Sequence, residues 1–215
     1  MRTVVDTLDT EHQRDGNLNR HVIQLCITAF FWLMRPAEYL GYSSRDDDGA
    51  RSSRSEAFRL EDITFTIRGT AMLATAASLN EVNISDITYA TLMFTDQKNA
   101  VRGEQVGHWA TGDPTLCPCK ALARIVMHIR SRPVSNDTPI CTYHANDGTQ
   151  RTVKATHITN ALRHAADRLK DSTGIPPELI STRSLRPGGA TALLCANIDK
   201  QSIHVTGLLA LEGDS

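Results

Sequence analysis

Aromatic side chains are scarce: Phe, Trp and Tyr make up 5% of the 215 residues, and the four tyrosines are Tyr39, Tyr42, Tyr89 and Tyr143. The chain beyond Tyr143 therefore offers no phenolic hydroxyl. Long apolar runs are missing as well. None approaches the roughly 18 residues needed to cross a bilayer, so no membrane partner is expected. The N-terminus carries Asp6, Asp9 and Glu11 instead of the basic and then apolar order of a secretory leader. Five cysteines, an odd number without framework spacing, exclude a disulfide scaffold and suit a reducing compartment. An intracellular protein of nucleus or cytoplasm is the expectation. Surplus positive charge is absent too: 23 Lys and Arg stand against 24 Asp and Glu, a net charge of -1. That balance weighs against extensive nucleic-acid contact, which normally needs an excess of cations. Gly188-Gly189 lacks the spacing of a P-loop or dinucleotide fingerprint, so no nucleotide cofactor is expected.

What is present is an ordinary apolar content of 40%, enough for one domain with a core of its own. Asn19 is placed to cap a helix carrying Val22, Ile23, Leu25, Cys26, Ala29, Phe30 and Leu33. Pro36 disfavours helical geometry at Arg35 and opens a second, short helix, which Gly41 ends. Residues 43–56 are polar and read as a flexible loop. Alternating patterns predict strands at 58–69, 87–95 and 105–110, with 70–86 as an insertion. The last two strands are joined by a hairpin that carries Lys98 near its tip. Helices are expected at 119–132, from Thr156 to a stop at Gly174, and as a buried segment over 190–195. The fold class is mainly α with a small antiparallel β-sheet, an α+β domain.

Two segments carry chemistry. Phe30-Phe31-Trp32-Leu33-Met34-Arg35-Pro36-Ala37-Glu38 sets one arginine in apolar sequence with a carboxylate three positions later. A buried arginine needs an anionic partner. Ser181-Thr182-Arg183-Ser184-Leu185-Arg186-Pro187-Gly188-Gly189-Ala190-Thr191 crowds two guanidinium groups and a glycine pair at a helix start, a place to hold phosphate. Between Lys120 and Arg186 the basic residues outnumber the acids. Cys117, Cys119, Cys141 and His144 depart from structural zinc spacings, so no metal is expected. His108 and Trp109 read as sheet-packing residues.

In order, Arg35 with Glu38, the hairpin Lys98, and Arg183-Ser184-Leu185-Arg186 before Gly-Gly-Ala-Thr resemble the catalytic domain of tyrosine recombinases, or phage integrases. The likeness is nearest to the Crypton- and DIRS-type mobile-element branch, and covers roughly 18–203. It implies a DNA breaking-rejoining catalytic core that acts on duplex DNA in recombination and integration. On that resemblance Arg35 and Arg186 match the phosphate-gripping arginines and Glu38 the supporting acid. Lys98 matches the general acid of the hairpin, and Arg183 takes a position where relatives carry histidine or lysine. The nucleophilic tyrosine expected after the second arginine box is missing, and His204 stands out of register with the second donor position. Ser202 has no evident activating base to replace that tyrosine.

The expected organisation is a tail at 1–17, a catalytic-like domain at 18–206 and a divergent tail at 207–215, an ending that reads as truncated or frameshifted. Strand cleavage is expected to be lost and DNA binding kept, with weak homo-oligomers on DNA at most. The alternatives are a domesticated, non-catalytic DNA-binding module and a helical interaction protein that touches no nucleic acid.

Overall fold

The computed structural model describes residues 1–3, 5–6, 16–40, 57–94 and 103–198. Lys98, Tyr42, Ser202, His204, the loop at 43–56 and the tail at 207–215 lie outside the described residues.

The centre of the domain is α1 (Gly16–Phe31), which buries His21, Val22, Ile23, Leu25, Cys26, Ile27, Thr28 and Ala29. Eight buried residues among the nine from His21 to Ala29 mean a helix enclosed on most sides, where an amphipathic surface helix would bury a single stripe. The helix begins three residues before the Asn19 expected to cap it. Asn17, in its first turn, donates its amide to the His144 carbonyl at 3.0 Å, so a tertiary contact fixes the start. A short α2 (Pro36–Leu40) follows.

Against α1 pack α3 (Pro118–Arg130), α4 (Ala155–Asp167) and α6 (Leu185–Cys195). Leu122, Ile125, Val126 and Ile129 of α3 are buried at helical spacing, as are Ile158, Ala161, Leu162 and Ala165 of α4. A single turn, α5 (Lys170–Thr173), ends at Gly174 in the left-handed region.

The sheet contains β1 (Ile63–Ile67), β2 (Thr70–Leu73), β3 (Ile87–Phe94) and β4 (Glu104–Trp109), antiparallel in the order β2-β1-β3-β4. The first 5 residues of the expected strand at 58–69 are an extended lead-in and a 3-10 turn over Leu60–Asp62, and the start of the expected insertion is β2. Arg68 and Gly69 explain the difference, since their φ of 49° and 81° form the tight hairpin turn that folds β2 back on β1. Ile63, Phe65, Ile67, Ala90, Leu92 and Val106 face the core. The outer face, with Thr64, Thr66, Tyr89, Thr91, Met93 and Trp109, carries no charge. Trp109 is 71% exposed and leans on Tyr89 at 4.6 Å between ring centroids, whereas His108 packs edge-on against buried Trp32 at 4.7 Å. Both residues pack on the sheet, but on opposite faces, because neighbours in a strand face opposite sides: His108 turns inward to Trp32, and Trp109 lies on Tyr89 and remains largely exposed. A second hairpin, β5 (Thr142–His144) with β6 (Gln150–Thr152), closes over α1 and α3.

The buried stretch expected at 190–195 is longer and more open: α6 buries only Leu185, Gly189 and Ala190, and Leu194 is exposed. In the expected N-terminal tail, Val5 is buried in the core and Arg2 pairs with Asp113. No helix among the described residues is long and apolar enough to cross a membrane.

Three histidines meet where α1, α3 and β5 join. His21 donates through Nε2 to the Ile140 carbonyl at 2.8 Å, and His144 through Nε2 to that of Ile129 at 2.8 Å. The His144 backbone N–H donates to His128 Nε2 at 3.1 Å, so that nitrogen carries a lone pair. Burial, aided by its histidine neighbours, pushes His21 down to about 3, and burial pushes His108 down to about 4. An unfolded histidine titrates near 6.5. Between those values the unfolded chain binds protons that the folded chain refuses. Stability present above about pH 6.5 is therefore lost on acidification, by up to about 1.4 kcal/mol per pH unit for each histidine. Urea midpoints should be clearly lower at pH 5 than at pH 7, and equal midpoints would contradict this account.

Candidate functional site

The two arginine-bearing segments are brought together by how their helices end and begin. At the end of α1 the Met34 N–H donates to the Ala29 carbonyl at 2.9 Å and Leu33 takes φ 49°, the arrangement of a Schellman turn. Glycine usually fills that left-handed position. Leucine is held there by burial, at 1% exposure. The turn leaves Arg35 at the joint before α2, as the proline rule predicts. The Arg35 N–H donates to Glu38 Oε2 at 2.6 Å, and its guanidinium faces Glu38 Oε1 at 3.4 Å.

The second segment opens with a 3-10 turn over Thr182–Ser184. Ser181 Oγ accepts from the Arg183 N–H at 3.3 Å, and Ser184 Oγ accepts from the Ser181 N–H at 3.1 Å. This reciprocal cap launches α6 with Arg186 in its first turn. Gly189, one turn further, lies against the end of α1. A Cβ there would fall well inside contact distance of the Phe30 carbonyl oxygen and of Leu33 Cδ2, while one at Gly188 would meet only Phe30 Cε2 at 3.7 Å. The second glycine of the pair is thus the one that lets α6 approach.

Tyr39 ties the two segments directly. It is fully buried and donates its hydroxyl to the Thr182 carbonyl at 3.2 Å. Burial pushes its pKa upward, which leaves it a poor nucleophile.

Arg35, Glu38 and Arg186 share one electrostatic environment. Burial lowers the pKa of Arg186, the Arg35 charge lowers it further, and Glu38 acts in the opposite sense. Glu38 is 4% exposed; burial raises its pKa, opposed by the hydrogen bond from Arg35 and by the charges of Arg35 and Arg186. Nη1 of Arg186 is buried without a hydrogen-bond partner among the described residues. Such a group calls for an acceptor. Two guanidinium groups whose charges both act on one carboxylate, only Arg35 being paired with it, carry a net positive charge, and guanidinium groups suit an anion.

Of the other expected site residues, Arg183 is exposed, on the 3-10 turn beside Arg186, and Lys98 lies outside the described residues. Much of the basic surplus expected over 120–186 makes internal contacts. Arg130 donates to the Ala74 and Ala76 carbonyls at 2.6 and 2.7 Å, Arg132 to that of Gly148 at 3.0 Å, and Arg163 to those of Ile180 and Glu178, both at 3.0 Å. Arg151 pairs with Asp147 at 2.6 Å and Lys170 with Asp167 at 3.1 Å.

No group of three or more His, Cys, Asp or Glu among the described residues is arranged to hold a metal ion. Cys117, Cys119 and Cys141 are buried thiols, and burial raises the pKa of Cys119 to about 12 and of Cys141 to about 11. Sequence reasoning missed Tyr39, whose pairing with Thr182 spans 143 positions, and did not single out Gly189 from its neighbour. Comparison of the chain with family models, curated proteins and solved structures returns no match.

Proposed function

We propose that this chain is a DNA-binding domain of the tyrosine-recombinase kind, which holds one backbone phosphate of duplex DNA between Arg35 and Arg186 and does not cut it. The observation that carries this reading is the joining of two arginine-bearing segments, 151 positions apart at Arg35 and Arg186, through the Tyr39–Thr182 hydrogen bond and the packing of Gly189 on Phe30, with Nη1 of Arg186 buried and without an acceptor among the described residues. Planar guanidinium groups suit the non-bridging oxygens of a phosphate, and they stay charged at any physiological pH. The motif order of the sequence points to the same chemistry.

Cleavage in that family needs an attacking tyrosine hydroxyl. Here Tyr39 is buried and bonded to Thr182, Tyr143 is buried, and Tyr89 lies under Trp109 on the sheet. None of these three is placed to attack phosphorus. Internal pairing of many cations fits a modest affinity.

A nicked suicide duplex tests the reading. Bound DNA should elute with rising salt, and denaturing gels should show no covalent protein–DNA adduct. An adduct would restore catalysis to the domain, and absence of retention at low salt would remove DNA as the partner.

A further inference from the structure

We infer that Glu38 is a specificity-determining residue, which makes the arginine pair accept a singly charged phosphodiester in preference to a doubly charged terminal phosphate; this rests on the phosphate reading above. Both oxygens of the Glu38 carboxylate face Arg35, one on its backbone N–H at 2.6 Å and one on its guanidinium at 3.4 Å. The charged groups that bear on it are Arg35 from the joint after α1 and Arg186 from α6, with no other among the described residues. Its backbone neighbours among the described residues are uncharged: the Phe58 N–H donates to the Glu38 carbonyl at 2.8 Å, and adjoining Tyr39 donates its hydroxyl to Thr182.

Two guanidinium charges and one carboxylate leave a single positive charge. A phosphodiester brings one negative charge and balances it. A phosphomonoester carries nearly two above its second pKa of about 6, and its extra charge finds no third cation among the described groups that act on Glu38. It would also sit near a carboxylate that is 4% exposed and therefore poorly screened. Burial already works against the charged form of Glu38, so a further anion acts on a group with little tolerance for it. Glu38→Gln removes the charge and keeps an oxygen for the Arg35 N–H.

The experiment follows the side-chain Nε–H NMR signals of Arg35 and Arg186 during titration with a dinucleoside phosphate, which holds one diester, and with thymidine 5′-phosphate. At about pH 7.5, well above the monoester's second pKa, the wild-type chain should favour the diester by about tenfold, the equivalent of one pKa unit. Glu38→Gln should reverse the order. Acidification of the wild type to about pH 5, where the monoester loses its second charge, should close the gap without any substitution. The same preference in both proteins, or a gap indifferent to pH in the wild type alone, overturns the selection and leaves the phosphate site standing. A response to neither ligand overturns both.

Discussion

Gly189→Ala is expected to lower the thermal midpoint by about 5–10 °C, corresponding to a loss of about 2–3 kcal/mol in a domain of this size. The added methyl has no free direction. It meets the Phe30 carbonyl oxygen, which is backbone at the end of α1, and Leu33 Cδ2, which is locked in the core. Ala improves helix propensity over Gly by about 1 kcal/mol, so the loss measured is the clash less that gain. Gly188→Ala supplies the internal control. It stands on the same helix, is exposed and meets only an ordinary contact, so its midpoint should stay level or rise. The 189 variant should weaken DNA retention as well, because α6 can relieve the clash only by moving away from α1 and carrying Arg186 with it. Equal behaviour of the two alanine variants in thermal melts would refute this packing.

Arg35→Ala combined with Arg186→Ala should reduce duplex affinity by about a hundredfold or more, since each charge-assisted hydrogen bond to phosphate contributes about 1.5–3 kcal/mol. The salt dependence distinguishes one shared phosphate from two separate ones. If both arginines grip a single phosphate, the slope of log affinity against log salt should shrink by about one, not two. Removal of Arg35 alone leaves Glu38 buried with its nearest cation gone, so part of that single variant's effect will be instability. The Lys,Lys double variant separates the two causes. It keeps both charges near Glu38 but loses the planar fork, so binding should fall while thermal stability changes little. Fluorescence anisotropy with a labelled duplex over a salt series reads all of these. Unaltered affinity in the Ala,Ala variant would end the phosphate reading.

The sequence made the site legible where one residue type clashes with its surroundings. Arg35 stands in apolar sequence, Arg186 opens a helix beside two glycines, and each asks for a counter-ion that neither segment supplies in full. Element types were readable for a similar reason, since α3, α4, β3 and β4 show plain periods. What stayed hidden depends on pairs far apart in the chain. The Tyr39 bond to Thr182, the three-histidine junction and the contact of Gly189 with Phe30 leave no local signature. The hairpin of β1 and β2 was missed although Arg68-Gly69 spells out its turn, because β2 is four residues long and largely exposed, with too little alternation to read. Position 33 was unreadable for the opposite reason. A leucine in a left-handed turn breaks the local preference, and only the glycine on another helix makes room for it.

The two tryptophans inhabit different solvents. Trp32 is enclosed, with its indole N–H on the Val106 carbonyl at 3.2 Å, and Trp109 stands in water on the uncharged side of the sheet. Intrinsic fluorescence of this protein is therefore a sum of a blue and a red emitter, and the two must be separated before any intensity change is assigned. A quencher dissolved in the buffer reaches the red one first, so its loss speaks of the sheet surface, whereas a drift of the blue one speaks of the interior coming apart.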